Sequence, residues 1–279
     1  MSRLQVVWFK RDIRLEDHPA LSAATACGPV LGLVVYEPSL WAYPDASGRQ
    51  AAFYAESLES FRAEADRASL AVLFLRGEMP DLLEALRSAV GIFDLWSHEE
   101  TGNAPSFERD KRVAAWARRS CVVWRELPQN NVVRGLKNRD HWSEIWDRRM
   151  TNEALAVPRL EMLSQRVVEN LREIPQQLRA DSLSPWRDIA ETDSCPGRQA
   201  GGRAQGLRLL KTFLQGRGVG YRRQMSSPGT FQKHGSRNPG RDQPPRRLRV
   251  KRVAVDPTQT ARDDGGAAST AAQQSFDFS

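Results

Sequence analysis

Five short apolar runs mark the first half of the chain, at residues 4–9, 30–36, 70–75, 91–96 and 121–124. Each is close to continuous rather than alternating, which is the pattern of a strand buried on both faces, as in a parallel sheet. Between the runs, apolar residues recur at helical spacing. A helix over about 49–68 places Phe53, Leu58 and Phe61 near one face. A second, from near Pro80, carries Leu82, Leu83, Leu86 and Val90. A third, over about 106–118, carries Phe107, Val113, Ala114 and Trp116. Strands separated by helices of this length are joined by right-handed crossovers. The pattern therefore predicts an α/β domain over residues 1–157, built on a doubly wound, parallel, five-stranded, Rossmann-like sheet.

The periodicity weakens after residue 126. Residues 130–134 read as a short extended piece, and residues 141–150, with Trp142, Ile145 and Trp146, as a short helix. Residues 158–202 hold several prolines, a weak helix near 162–171 and a Ser/Pro/Gly-rich stretch, and read as an inter-domain linker. Residues 203–214 form an amphipathic helix with Leu207, Leu210 and Phe213 on its apolar face, ended by Gly216 and Gly218. Residues 229–279 contain one leucine, no isoleucine and no tryptophan. So little apolar area cannot offset the entropy of ordering the chain, about 1–2 kcal/mol per residue, and the segment is expected to be disordered. The abrupt loss of apolar residues is what a truncated or frameshifted reading frame would produce.

Charge changes this picture less than its total suggests. The net charge is +7, but residues 1–216 hold 29 basic and 29 acidic side chains. The excess lies in residues 217–252, with 11 basic residues against Asp242 alone. Basicity belongs to one late segment, where it could bind DNA by releasing counterions, and not to the folded body. No apolar run is long enough to cross a membrane. Cys27, Cys121 and Cys195 are widely spaced and follow neither a metal nor a disulfide pattern, which fits a reducing cytoplasm.

No catalytic constellation or metal site can be assembled from spacing alone. The four histidines (His18, His98, His141, His234) are scattered and read as structural or exposed. Two places stand out for ligands. His98 to Asn103 follows the fourth strand, at the carboxyl end where open α/β sheets bind ligands. The opening stretch, residues 4–21, is a strand, a loop of alternating charge (Lys10, Arg11, Asp12, Arg14, Glu16, Asp17) and a helix start with Asp17 as N-cap and Pro19 in the first turn.

That opening stretch also carries a resemblance. Trp8-Phe9-Lys10-Arg11-Asp12-Ile13-Arg14-Leu15, then Asp17-His18 and Ala20-Leu21, resembles the N-terminal signature of the photolyase/cryptochrome family. Further on, the segment 106–110 is similar to one in which a glutamate helps hold the antenna chromophore, and Glu108 stands at that position. Residues 203–228 resemble the entry into the family's helical FAD-binding domain, where Tyr221 matches a tyrosine and Ser226-Ser227-Pro228 the run-in to a phosphate loop. The resemblance ends there. It implies a photolyase N-terminal domain, FAD, an antenna chromophore of folate or deazaflavin type, and damaged DNA as partner. It also implies that most of the catalytic domain has no counterpart in this sequence, so that the chain alone is inactive. Light-driven repair of pyrimidine dimers, cryptochrome-like signalling and a stand-alone α/β nucleotide- or protein-binding module remain open at this point. In the family, the charged loop faces the catalytic domain, so its charges are expected to be interface and structural pairs.

Overall fold

The computed structural model describes residues 2–129, 132–195, 197–216 and 218, all within one compact unit, Met1–Arg223. Tyr221, most of the basic run and residues 229–279 lie outside the described residues. Five parallel strands, β1 (Gln5–Phe9), β2 (Val30–Tyr36), β3 (Ala71–Arg76), β4 (Asp94–His98) and β5 (Trp124–Leu127), form one sheet in the order β3-β2-β1-β4-β5. The order reverses direction at β1, which pairs with both β2 and β4. This is the doubly wound sheet the hydrophobic pattern predicts, with its switch point between β1 and β4.

Alternation along β1 explains why its apolar run is unbroken. Val7 and Phe9 enter one core layer, against α1 (Pro19–Thr25) and α3 (Gly48–Arg67). Val6 and Trp8 enter the other, against α4 (Asp81–Val90) and α5 (Ala104–Arg119). A four-residue helix, α2 (Pro38–Trp41), sits directly after β2. Two expectations shift at element ends. The fifth strand begins at Trp124 rather than Cys121, because Ser120 ends α5 and Cys121 takes a left-handed turn (φ 55°). Phe53 is 40% exposed, whereas Leu58 and Phe61 on the same helix are buried.

The start of α1 also differs from expectation. Asp17 is left-handed (φ 53°), and its backbone N–H bonds Leu155 O at 2.7 Å. The cap passes to His18, whose Nδ1 accepts from Leu21 N at 3.0 Å. Pro19 occupies the first turn as predicted.

The connection over 158–202 packs on the α/β body along much of its length. It follows α6 (Trp142–Met150) and contains α7 (Gln165–Arg172), a 3-10 turn and α8 (Ser184–Ala190). Ile174, Ala180, Leu183 and Trp186 are all buried. Trp186 is 0% exposed and meets the Tyr36 ring edge-on at 5.3 Å. Prolines and small residues hid this, since the buried residues come singly and without a period. The last described helix, α9 (Arg203–Gln215), is fixed at its start by Gly201 N donating to Glu56 and Gly202 N to Ser57. Its Arg203 pairs with Glu16. Leu207, Leu210 and Leu214 on it are exposed.

Candidate functional site

The carboxyl ends of β1, β2 and β4 meet around a network of buried charge. Arg109, from α5, donates to Glu37 at the end of β2, to Glu100 (2.9 Å) after β4, and to Asp110 (2.8 Å). Lys10, at the end of β1, donates to the other oxygen of Asp110 (2.6 Å) and to His98 O (3.1 Å). Lys10 and Arg109 also lie over the ring of Trp8, at 4.6 and 4.5 Å from its centroid. Charges this deeply buried are tolerated only when paired. Here three carboxylates share two cations. Burial pushes the Glu37 carboxyl up, against the opposing pull of Arg109.

Above this network lies a cleft of about 750 Å³. Glu37 and Arg109 form part of its floor, Trp41, Phe53 and Tyr54 an aromatic wall, and Arg11 and Arg49 line its rim. Trp41 stacks parallel to Tyr36 (6.4 Å, 3°) and leans on Tyr54 (5.8 Å). Tyr54 donates its hydroxyl to Lys10 O at 2.6 Å, and burial pushes its phenol well above the ordinary range. A flat, half-buried wall opposite charged side chains suits a planar aromatic ligand with polar groups at its edge.

Next to the cleft, a second cluster fixes the opening loop. Asp12, 2% exposed, accepts from Lys10 N (2.8 Å) through Oδ1. Its Oδ2 meets His18 Nε2 (2.8 Å) and His98 Nδ1 (2.5 Å), and the two imidazoles lie 4.4 Å apart. Spacing gave no hint of this pair, because β1 and β4 become neighbours only through the fold. Asp12, His18 and His98 lie close enough together for a metal site, but the donors are wrong for one. Leu21 N–H points at His18 Nδ1, so the ring proton must sit on Nε2 and donate to Asp12. A metal at Nε2 would force that proton onto Nδ1, against another donor. The cluster is a hydrogen-bonded strut. Burial raises the pKa of Asp12, but the hydrogen bonds and charges of His18 and His98 override it and hold the carboxylate well below the usual range. Burial likewise pushes His18 down, outweighing Asp12.

The sign of the resulting pH dependence follows directly. Native His18 stays neutral while the unfolded chain takes up a proton below the ordinary value of 6.5. Native Asp12 stays ionised while the unfolded chain protonates below 3.8. Both effects remove stability as pH falls, His18 first and by up to about 1.4 kcal/mol per pH unit. Urea unfolding between pH 7 and 5 should show this slope, and His18→Asn, which keeps a side-chain cap, should flatten it. An unchanged slope in the variant would contradict the assignment.

The residues singled out in the sequence distribute unevenly. Glu108 lies on the outer side of α5, 57% exposed and paired with Lys111 at 2.7 Å, and it does not line the cleft. One residue on, a rotation of about 100° turns Arg109 inward, and it is Arg109 that reaches the cleft. Tyr221 lies outside the described residues. Of the charged loop, Lys10 and Asp12 pair within the domain, Arg14 bonds Asp17 O, and Glu16 reaches α9. The 98–103 segment does line the cleft, through Glu100, Gly102 and Asn103.

A doubly wound α/β domain with a ligand-type cleft at its switch point is thus the class that fold and site define. The family model for DNA photolyase matches residues 5–137. A deoxyribodipyrimidine photo-lyase of Thermus thermophilus is 39% identical over 113 residues, covering 39% of this chain and 25% of that protein. Cryptochrome-1 of Arabidopsis thaliana is 58% identical over 33 residues, 12% of this chain and 5% of that protein. Among solved structures, a bacterial class III photolyase from Agrobacterium tumefaciens superposes with a TM-score of 0.60 at 18% identity, over 80% of this chain and 47% of that one. The archaeal photolyase from Sulfolobus tokodaii, solved with two FAD molecules, gives 0.56 at 19% identity, over 74% and 46%. At such identities the structures speak for the fold alone. The α/β domain of this chain belongs to the photolyase/cryptochrome family, as its N-terminal domain. The match spans a quarter of the Thermus protein's length and under half of either solved chain.

Proposed function

We propose that this α/β domain binds a planar, blue-absorbing chromophore in the cleft above Glu37 and Arg109, as the antenna part of a photolyase- or cryptochrome-type protein of the cytoplasm. The observation that carries this reading is an aromatic wall (Trp41, Tyr54) facing the charged floor of Glu37 and Arg109 in one open cleft. The Sulfolobus protein, described with two FAD molecules and a novel light-harvesting cofactor, makes a flavin-class occupant the first to try. Bound there, the group supplies light absorption. The chain's own residues stack on it, exclude water from one face and hold its edge.

Light-driven, FAD-dependent repair of pyrimidine dimers in damaged DNA is the activity we infer for whole proteins of this type. We infer too that this chain does not perform it alone, because residues 229–279 do not resemble the flavin-binding domain. Blue-light turnover of dimer-containing oligonucleotide by the purified chain would overturn that inference. For the cleft, FMN titrated into the chain should quench tryptophan fluorescence with 1:1 stoichiometry. Trp41→Ala, a partly exposed position, should weaken binding about tenfold through lost stacking and burial while leaving the fold intact. Equal affinity in the variant would place the ligand elsewhere.

A further inference from the structure

Beside the large cleft is a smaller polar cavity of about 320 Å³, at the carboxyl ends of β1 and β4. Lys10, Arg11 and Glu100 line both, so the two adjoin across Arg11. Arg14, His98 and Thr101 line the smaller one alone. Its charges do not cancel. Lys10 is held by Asp110, Glu100 by Arg109, and Glu99 by Arg134 at 3.4 Å. Arg11 is exposed and has no hydrogen bond or ion pair among the described residues. Arg14 donates through Nε and one terminal nitrogen to Asp17 O and has no carboxylate partner among them. Two guanidinium groups thus converge with their charge uncompensated.

We propose that this cavity is a phosphate subsite, in which Arg11 and Arg14 donate to phosphoryl oxygens. Guanidinium forks match phosphate oxygens in geometry and charge. Two sources share this chemistry. One is free phosphate. The other is the phosphorylated tail of a ligand whose ring lies in the adjoining cleft, and this second source rests on the chromophore reading above.

The test uses the full chain in two arms. In the first, inorganic phosphate is titrated by calorimetry and ³¹P NMR. Saturable binding is expected, with chloride at least tenfold weaker, because a spherical ion cannot engage the guanidinium forks in pairs. Arg14→Gln should lose about tenfold in phosphate affinity at an unchanged melting temperature, as expected for one charge-assisted contact. Arg11→Gln, at an exposed position, gives the same readout should Arg14→Gln destabilise the loop. Chloride binding as tightly as phosphate, or affinity unchanged in both variants, overturns the proposal. In the second arm, riboflavin and FMN, which differ only by the phosphate, are compared. An FMN advantage of about tenfold that disappears in Arg14→Gln assigns the subsite to a ligand tail. Equal affinities, with phosphate still bound in the first arm, assign it to free phosphate. If neither flavin binds, the chromophore reading fails and the phosphate arm decides alone.

Discussion

Asp12→Ala should destabilise the α/β domain by about 3–5 kcal/mol, the cost of breaking a buried charged cluster by removing one partner. The Asp12 side chain is the shared acceptor for Lys10 N–H, His18 Nε2–H and His98 Nδ1–H. Its loss leaves those donors buried, each at about 1–3 kcal/mol, and frees the loop from β1 and β4 together. Asp12→Asn keeps the volume but turns an amide N–H₂ toward at least one donor, so it should fall between alanine and wild type. Urea denaturation at pH 7 measures both. An alanine variant within about 1 kcal/mol of wild type would show that the cluster does not hold the loop. For a domain whose total stability is of order 5–15 kcal/mol, the expected loss would leave a large unfolded fraction on modest heating.

Arg109→Met should cost a similar amount, about 3–5 kcal/mol, for the opposite electrostatic reason. The guanidinium neutralises Glu37, Glu100 and Asp110, all buried. Methionine fills much of the space but leaves three carboxylates facing Lys10 alone. Burial already pushes the Glu37 carboxyl up against the pull of Arg109, and without that cation it would be pushed further up in the folded state. A group with a raised folded pKa gains stability as pH falls, so the deficit of Arg109→Met should shrink between pH 7 and 5. Over that range the His18 effect runs in the other direction in both proteins and cancels in the difference. A deficit that grows toward pH 5 would contradict this account of the network.

Much of the fold was legible because burial writes itself into sequence where it is periodic or continuous. Residues 30–36 are continuous in apolar character and form β2 over the same span. Leu82, Leu83 and Leu86 recur at helical spacing and are buried in α4. The connection was legible only as a connection. Trp186 and Leu183 are isolated apolar residues among prolines and serines, and only tertiary packing shows that they close the core over α3. The start of α1 was misplaced by one residue because aspartate is the better cap by preference, while a backbone bond to Leu155 draws Asp17 into a left-handed turn.

The site was legible as a place but not as a set of residues. The rule that ligands gather at strand carboxyl ends pointed to residues 98–103 and to the charged loop, and both line the cavities. It could not show that His18 and His98, 80 positions apart, share one carboxylate. Nor could it show that Arg109 rather than Glu108 faces inward, since one residue of helical phase decides that. The polar floor of the cleft draws on β1, β2, β4 and α5, so no local motif contains it.

The claim that the cleft is a chromophore site is tested most directly by the visible absorption spectrum of the chain as purified, followed by titration with FMN, a deazaflavin and a folate. A chromophore site gives a near-ultraviolet to blue band, retained on purification or restored by one of the three at one equivalent, and weakened in Trp41→Ala. A folded, colourless chain that binds none of them would contradict it.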